Sequence, residues 1–220
     1  MGDSLRILVA DDHPMFRAAL RYALGEILPD ATIVEVSSQS ALEAAVAGGD
    51  DFDLAMLDLM MPGAMGFSSL VYLRGERPEL PIIIISSNEH PRTIRRAQQF
   101  GAAAFVPKSA PADVLREALM AVQAGGEWFP TQKAERNEAD ATLADRLAQL
   151  TPQQLRVLMR LADGLLNKQI AHELALAENT VKIHVTAVLR KLGCHSRTQA
   201  AVLVKGLSLE EGGEIDSPEC

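Results

Sequence analysis

Short apolar runs and helical stretches alternate along the first 124 residues of the chain. Several of the apolar runs, such as 81–85, contain no polar alternation. A run of this kind is typical of a strand that is buried on both faces of a sheet. Strands that alternate with helices predict a doubly wound parallel α/β sheet. We expect strands at 5–10, 32–36, 53–57, 81–85 and 103–106, and helices at 14–28, 40–47, 66–77, 91–100 and 110–124.

Several residues mark the ends of these helices. Pro14 and Pro91 lie at first-turn positions, where a missing backbone N–H costs little. Ser40 and Ser109 are the expected N-caps of the second and fifth helices. Gly101 is expected to end the fourth helix in a left-handed conformation.

The pattern changes after residue 124. The next segment opens with glycine and proline and becomes polar, which predicts a linker that ends in a short helix near 139–149. From residue 150 only helical spacing remains, and Thr151-Pro-Gln-Gln154 predicts a capping box. We predict a first domain at 1–124, a linker at 125–149, a small all-α domain at 150–207 with helices at 152–162, 168–175, 178–192 and 196–207, and an acidic flexible tail at 208–220.

Composition and charge narrow the class of protein. The chain has 220 residues, of which 48% are hydrophobic, and no apolar run approaches the length of about 18 residues that a membrane span needs. Two cysteines, Cys194 and Cys220, are too few for a disulfide framework, which favours a reducing cytoplasm. The net charge is -8, yet residues 150–207 carry eight basic and three acidic residues. This basic module either meets a polyanion or reflects an accidental surface imbalance.

Charged side chains follow three of the predicted strands. Asp11 and Asp12 follow the first strand, Asp58 follows the third and Lys108 follows the fifth, while Ser86 ends the fourth. The carboxyl ends of parallel strands meet at one edge, where ligands bind. Clustered carboxylates suit Mg²⁺, which prefers oxygen ligands, and the lysine suits an anion. Together these groups predict a site that accepts a phosphoryl group, with Asp58 as the nucleophile.

The motifs that carry these residues resemble the receiver domain of bacterial two-component response regulators. They are Asp11-Asp12, Asp58-Leu-Met-Met-Pro-Gly63 with Gly66, Ser86, and Phe105-Val-Pro-Lys108. The resemblance implies a flavodoxin-like fold in which a sensor histidine kinase phosphorylates Asp58. It implies that Asp11, Asp12, Asp58 and the backbone carbonyl of Met60 bind Mg²⁺, that Lys108 binds the phosphoryl oxygens, and that Ser86 and Phe105 form a switch pair.

These residues also allow two other interpretations. Phe105 alone is also typical of plain core. Phosphatases of the haloacid-dehalogenase type also use an aspartyl nucleophile, but they place a second aspartate two residues later, where this chain has Met60. We therefore expect no dedicated enzyme.

The basic module contains a predicted helix-turn-helix at 168–192. One face of its second helix is apolar, and the other carries Lys182, Ile183 and Thr186. A helix of this size fits the major groove of DNA, although a plain four-helix packing unit with a basic surface would share the pattern. The following motifs resemble the LuxR/FixJ-type DNA-binding domain: Leu150-Thr-Pro, Gly164-Leu-Leu-Asn-Lys168-Gln-Ile-Ala171, Thr180-Val-Lys-Ile-His184, Leu189-Arg-Lys-Leu-Gly193 and Ser196-Arg-Thr-Gln-Ala200.

This second resemblance implies roles in binding double-stranded DNA. Lys182, Ile183 and Thr186 would face the bases. The last helix would form a homodimer contact that lets two copies read paired half-sites. The residues expected near the DNA backbone are Asn167, Lys168, Thr180, His184 and Arg197, and those expected at the dimer contact are Ala200, Ala201, Leu203 and Val204.

The chain departs from this family pattern at two places. Ala177 occupies the position of a capping serine, and Gln153-Gln154 replace Arg-Glu. Gln154 can still close the capping box, but an ion pair there is lost.

The two resemblances together indicate a response regulator of the NarL/FixJ type. We expect the unphosphorylated receiver to mask the recognition helix or the dimer face, and phosphorylation to expose them. A ligand-sensing factor with a LuxR-type domain, or a receiver that works without phosphorylation, would share part of the sequence. Arg92, Arg95 and Arg96 are expected to face solvent, or to serve receiver dimerisation.

Overall fold

The structure, a computed structural model, describes residues 4–49, 51–131 and 138–208. Its first part is a five-stranded parallel sheet with strand order β2-β1-β3-β4-β5, flanked by helices. Within the described residues, five more helices follow the sheet. The strands are β1 (Arg6–Ala10), β2 (Thr32–Val36), β3 (Leu54–Leu57), β4 (Ile82–Ser86) and β5 (Ala104–Pro107). The helices are α1 (Pro14–Ile27), α2 (Gln39–Ala47), α3 (Ser68–Glu76), α4 (Pro91–Gln99), α5 (Ala112–Gln123), α6 (Glu138–Ala148), α7 (Pro152–Ala162), α8 (Asn167–Glu173), α9 (Glu178–Leu192) and α10 (Arg197–Lys205).

The predicted α/β architecture is confirmed, and the strand order explains why the functional residues meet. The order doubles back at β1, so that β1 and β3 are neighbours in the middle of the sheet. Such a reversal opens a crevice at the carboxyl ends of the strands. Residues 11–12 and 58 lie on either side of it. The Asp58 N–H donates to the carbonyl of Ala10 at 2.8 Å, which continues the strand pairing up to the site.

Two apolar cores cover the two faces of the sheet. On one face α1 and α5 pack against residues such as Val9 and Ile83. On the other face the core is continuous from the sheet through α3 and α4 into the C-terminal helices, and it includes Leu57, Leu155 and Leu207. The two parts of the chain therefore share buried apolar surface, whose removal from water is the main driving force for packing.

The contact between α3 and α7 requires a glycine. A Cβ atom added at Gly75 would lie 2.8 Å from Cδ2 of Leu155, closer than carbon atoms approach. Glycine at this position allows α7 to lie directly against α3. Two ion pairs surround the contact: Arg156 with Glu76 at 2.6 Å, and Arg160 with Glu43 at 2.7 Å.

The linker continues the sheet for one residue. Trp128 forms a parallel bridge with Ala104 at the free edge of β5. Its carbonyl accepts from the N–H of Phe105 at 3.0 Å, and its own N–H donates to the carbonyl of Ala103 at 3.0 Å. The start of the linker is thus tied to the strand that carries Phe105 and ends beside Lys108.

Several predicted helix ends are wrong. The hydroxyl of Ser38, not Ser40, caps α2 by accepting from the N–H of Ala41. Ser109 does not cap α5, because Pro111 is the N-cap residue and the Ser109 hydroxyl donates to Glu89. Proline disfavours a helical conformation in the residue before it, which excludes Ala110 from the helix, and α5 begins at Ala112 instead of the predicted residue 110.

Other predicted ends are confirmed. Gly101 has φ +86° after α4, and the capping box of Thr151 and Gln154 is formed. Ala177 is the N-cap of α9 and has no side-chain hydrogen bond. No helix among the described residues is both long and apolar enough to cross a bilayer. The predicted acidic tail at 208–220 lies outside the described residues except for Ser208, and so does the linker segment 132–137.

Candidate phosphoacceptor site and DNA-binding surface

The structure brings Asp11, Asp58 and Lys108 into direct contact. The Lys108 Nζ atom lies 2.6 Å from Asp11 Oδ2 and 2.7 Å from Asp58 Oδ2. Asp58 is 1% exposed, and Asp11 is also buried. Since a buried charge is costly unless it is paired, the ammonium stabilises both carboxylates. It also lies 4.8 Å from the ring centre of Phe16, which adds a cation–π contact.

Backbone groups fix the two aspartates. Asp58 Oδ1 accepts from the N–H of Met60 at 3.1 Å, and Asp11 Oδ1 accepts from the N–H of His13 at 2.8 Å. The guanidinium of Arg17 donates to the carbonyl of Asp11 at 2.6 Å. Both carboxylates are therefore held in place by the turns that follow their own strands.

Burial and pairing shift the acidity of this cluster. Burial raises the pKa of Asp58 above its ordinary value of 3.8, and the hydrogen bond from Lys108 offsets only part of that effect. Burial by itself lowers the pKa of Lys108, but its hydrogen bonds to Asp11 and Asp58 outweigh this and raise it. Lys108 is thus held as a cation, while the charged form of Asp58 is disfavoured in the absence of a further cation.

The donor set suits a hard divalent cation. Asp11, Asp12, His13 and Asp58 each offer one ligand atom, and the four atoms lie within 4.8 Å of one another. Carboxylate oxygens are the ligands that Mg²⁺ prefers. Met60, whose carbonyl is a predicted ligand, is exposed beside Asp58. These residues can hold a metal ion.

The predicted switch residues are both buried next to this site. The Ser86 hydroxyl accepts from the N–H of Asn88 at 3.1 Å, and the Ser86 carbonyl accepts from the N–H of Lys108 at 2.9 Å. Phe105 is completely buried, and its N–H donates to the linker at Trp128. The ends of β4 and β5 are therefore linked through their backbones.

The predicted base-facing residues form an exposed surface on α9. Ile183 is 61% exposed, although it is apolar. Lys182 pairs with Glu178 one turn earlier at 3.0 Å, and the Thr186 hydroxyl donates to the Lys182 carbonyl. Together with Ala187 and Arg190, these three side chains form one open face of α9. The opposite face of α9 is buried at Val181, Val188 and Leu192, as predicted.

The residues predicted near the DNA backbone differ in solvent exposure and in their hydrogen bonds. Lys168 is exposed at the start of α8, whereas Asn167, Thr180 and His184 are half-buried. The guanidinium of Arg197 donates to the carbonyl of Leu165 at 2.6 Å, which braces the turn before α8. Four of the five thus lie near α8 and α9, while Arg197 approaches them from α10.

The predicted dimer contact needs a correction. Ala200 and Val204 are fully buried inside their own domain and face its core. Ala201 and Leu203 are half-buried, whereas Val202, which the sequence did not single out, is 63% exposed. The exposed apolar side chain of α10 is therefore on a different face from the one predicted.

Three arginines of α4 were expected to face solvent, and the structure contradicts this for one of them: Arg92 is exposed and Arg95 is half-buried, but Arg96 is buried. Arg96 is 5% exposed rather than solvent-facing. Its guanidinium lies over the rings of Phe67 and Phe100 at 4.9 and 5.6 Å, pairs with Asp140 of α6 at 3.3 Å, and donates to the carbonyls of Gly206 and Ser208. No local sequence signal separates it from its neighbours Arg92 and Arg95.

Comparisons with known proteins find matches to both parts of the chain. Residues 7–120 match the model of the response regulator receiver domain, and residues 148–204 match that of bacterial regulatory proteins of the luxR family. The glycerol metabolism activator of Pseudomonas putida is 39% identical over 204 residues, which cover 89% of this chain and 92% of that protein.

The chain belongs to the response regulators that join a receiver domain to a LuxR-type DNA-binding domain.

Other relatives of this family have the same layout. The nitrate/nitrite response regulator protein NarP of Escherichia coli is 33% identical, and the match covers 90% of this chain and 93% of NarP. A solved structure of two RcsB dimers bound to two parallel DNAs is 25% identical, with a TM-score of 0.54, and covers 94% of this chain and 100% of that one. The RcsB response regulator of Salmonella typhimurium, at 23% identity and a TM-score of 0.53, shares the fold over 92% of this chain and 99% of its own.

Proposed function

We propose that this response regulator receives a phosphoryl group on Asp58 from a sensor histidine kinase, with Mg²⁺, and then binds double-stranded DNA as a homodimer. The observation that carries the proposal is the contact of Lys108 with both Asp11 and Asp58 at the carboxyl edge of the sheet. A buried carboxylate that is fixed by its own turn and faced by a cation has the geometry of a nucleophile for phosphoryl transfer.

The proposed transfer uses these residues directly. A carboxylate oxygen of Asp58 forms a bond to phosphorus as the phosphorus–nitrogen bond of a phosphohistidine breaks. The leaving imidazole keeps the electron pair and takes up a proton. Mg²⁺, held by Asp11, Asp12, Asp58 and the carbonyl of Met60, would neutralise charge on the phosphoryl oxygens. Lys108 binds those oxygens, and the product stays on the protein, so the chain is a switch and not a dedicated enzyme.

The switch residues supply the response to this new charge. The Ser86 hydroxyl, which now accepts from Asn88, turns toward the phosphoryl group. Phe105 fills the space that Ser86 leaves. Because Phe105 is hydrogen-bonded to Trp128, a shift of β5 also moves the start of the linker.

On the DNA side, we propose that α9 enters the major groove. Lys182, Ile183 and Thr186 face the bases, and their exposure on the open face of α9 leaves them accessible. Asn167, Lys168, Thr180 and His184 contact the phosphate backbone near the groove, and Arg197 supports them through the turn before α8. A protein with this function acts where the chromosome is, in the bacterial cytoplasm.

The coupling between the two parts runs through α10 rather than through α9. The receiver leaves the recognition face of α9 open, so masking of that face is not part of the proposal. Instead, the N–H of Phe67 donates to the carbonyl of Leu207 at 3.0 Å, and Arg96 binds the two flanking carbonyls. Phosphorylation would loosen this hold on the end of α10 and free that helix for dimerisation.

The direct test replaces Asp58 with Asn. With acetyl phosphate and Mg²⁺, the unmodified protein should gain dimer mass in sedimentation and operator affinity in a gel-shift assay, whereas Asp58→Asn should gain neither. Asp30→Asn, which removes an exposed carboxylate far from the site, is the matched control and should respond fully. A gain by Asp58→Asn equal to that of the control would refute phosphoryl signalling through Asp58.

One cavity favours a second candidate function. A cavity of about 570 Å³ lies between α3, α6 and the start of α7, and its lining includes Phe100, Leu147 and Leu150. Apolar cavities between domains are common ligand sites, so a ligand-sensing or phosphorylation-independent regulator remains the alternative. In that case operator binding would be the same for Asp58→Asn and Asp30→Asn.

A further inference from the structure

The imidazole of His13 faces the carboxylate cluster. His13 is the N-cap residue of α1, and its side chain is 62% exposed, yet its Nδ1 atom lies on the inner side. That atom is 2.8 Å from Asp12 Oδ1, 3.3 Å from Asp11 Oδ1 and 4.0 Å from Asp58 Oδ2. One nitrogen is therefore close to all three acidic residues.

These separations fit a shared metal ion. With bonds of about 2.1 Å, two adjacent ligands of an octahedral ion are about 3.0 Å apart, and two opposite ligands about 4.2 Å apart. The distances from His13 Nδ1 to Asp12 and Asp11 are close to the first value, and the distance to Asp58 is close to the second. The nitrogen can reach an ion held by the carboxylates without a large movement.

The backbone holds His13 in this position. Its N–H donates to Asp11 Oδ1 at 2.8 Å, so the residue is tied to one of the carboxylates that it faces. Pro14 follows at the first position of α1, where its fixed φ angle sets the direction of the chain. A simpler role is also consistent with the distances, in which Nδ1 only exchanges a hydrogen bond with Asp12 and orients that carboxylate.

We propose that His13 is a nitrogen ligand of the receiver's cation, so that the site binds a transition ion such as Mn²⁺ more tightly, relative to Mg²⁺, than its carboxylates alone would. Imidazole nitrogen binds first-row transition ions well, whereas Mg²⁺ prefers oxygen and keeps its waters. Three carboxylates alone would discriminate less between the two ions. The inference rests on the proposed function only because it treats the acidic cluster as a cation site.

The deciding experiment uses Mn²⁺ as a spectroscopic probe on the full chain. Pulsed electron paramagnetic resonance detects the ¹⁴N coupling of a nitrogen that is bonded directly to Mn²⁺. The unmodified protein should show this coupling and His13→Ala should lack it, while His172→Ala, which removes an exposed histidine of α8, should keep it. A spectrum of the unmodified protein without ¹⁴N coupling overturns the inference.

Binding measurements separate a ligand from an orienting residue. Titration calorimetry with Mn²⁺ and with Mg²⁺ gives a ratio of the two affinities. Loss of a nitrogen ligand in His13→Ala should lower the Mn²⁺/Mg²⁺ ratio about tenfold, at the lower end of the 10–100-fold losses seen around metal sites. If both affinities fall by the same factor, His13 only orients Asp12 and the inference is wrong.

The outcomes also distinguish this inference from the proposed function. If the unmodified protein shows ¹⁴N coupling but acetyl phosphate does not modify Asp58, phosphoryl signalling fails and the nitrogen ligand stands. If Asp58 is modified but the ¹⁴N coupling is absent, only the role of His13 fails.

Discussion

The proposed phosphoacceptor site and the proposed DNA-binding surface are built in opposite ways. Asp58 is 1% exposed, and both of its carboxylate oxygens have a partner on the protein, whereas Ile183 on α9 is 61% exposed. Chemistry on a carboxylate needs groups that are already in position before the reaction. Reading DNA needs side chains that reach outward, with the helix behind them supplying rigidity. Changes to the first site should therefore alter the stability of the receiver, whereas changes to the second should leave the stability of the helical domain nearly unchanged.

The largest test of this difference is Lys108→Ala. Removing the ammonium leaves Asp11 and Asp58 facing each other without a cation. Loss of one partner from a buried ion pair is strongly destabilising, and we expect roughly 2 to 3 kcal/mol because Lys108 is not completely buried. Urea unfolding in the presence of a chelator measures the change. The double variant Lys108→Ala/Asp58→Asn should recover most of the loss.

An unchanged free energy of unfolding for Lys108→Ala would mean that the ammonium does not stabilise the site. The surface variant Lys182→Ala supplies the comparison, and its unfolding should stay within about 0.5 kcal/mol of the unmodified protein.

The second test concerns affinity instead of stability. Lys182→Ala should weaken operator binding by about tenfold, because a single base or phosphate contact contributes roughly 1 to 3 kcal/mol. Arg116→Ala removes the same charge from an exposed position on α5 and should leave operator affinity nearly unchanged. Gel-shift titrations at one fixed salt concentration measure both. Equal losses in the two variants would indicate that only net charge matters, and the assignment of α9 would fail.

Both the site at the strand ends and the surface on α9 could be predicted from the sequence, because each follows from a local pattern. The strands follow from apolar runs such as Ile82-Ile-Ile-Ile85, and the site follows from charged residues that end those runs. The recognition face follows from helical spacing on α9. These features depend on local pattern and on the rule that parallel strands end at one edge.

What could not be predicted depends on neighbours that are distant in the chain. Arg92, Arg95 and Arg96 have similar local sequence, but only Arg96 is fully buried, because Phe67, Asp140 and the end of α10 surround it. Ser38 and Ser40 are both reasonable caps, and the choice between them depends on where the chain leaves β2. His13 carried a usable signal, since an imidazole directly follows two aspartates, but the direction in which it points requires the fold.

A third test uses pH to measure how much the buried charge of Asp58 destabilises the folded protein. Burial raises the folded-state pKa of Asp58 above 3.8, so the folded state binds the proton more tightly than the unfolded state. That contribution to stability is present below pH 3.8 and is lost as the pH rises through the raised pKa. Without metal, Asp58→Asn should therefore be more stable than the unmodified protein at pH 7, by about 1 kcal/mol.

This difference should shrink when the pH is lowered toward 4, and saturating Mg²⁺ at pH 7 should reverse it, since an ion that binds the folded state stabilises it. Chemical denaturation across this pH range gives the values. A difference that stays constant with pH would show that the ionisation of Asp58 is not its cause.

The smallest test lies in the helical domain, where the structure leaves an N-cap unfilled. Ala177 has an extended conformation before α9 and no side-chain hydrogen bond, so the first N–H groups of the recognition helix lack a side-chain acceptor. Ala177→Ser should supply one and stabilise the domain by about 1 kcal/mol, raising its melting temperature. Ala177→Val, which adds no acceptor and is as poor an N-cap residue as alanine, is the control and should gain no stability. Because position 177 is exposed and outside the open face of α9 that carries Lys182 and Ile183, operator affinity should follow stability only. An unchanged melting temperature for Ala177→Ser would place the start of α9 elsewhere.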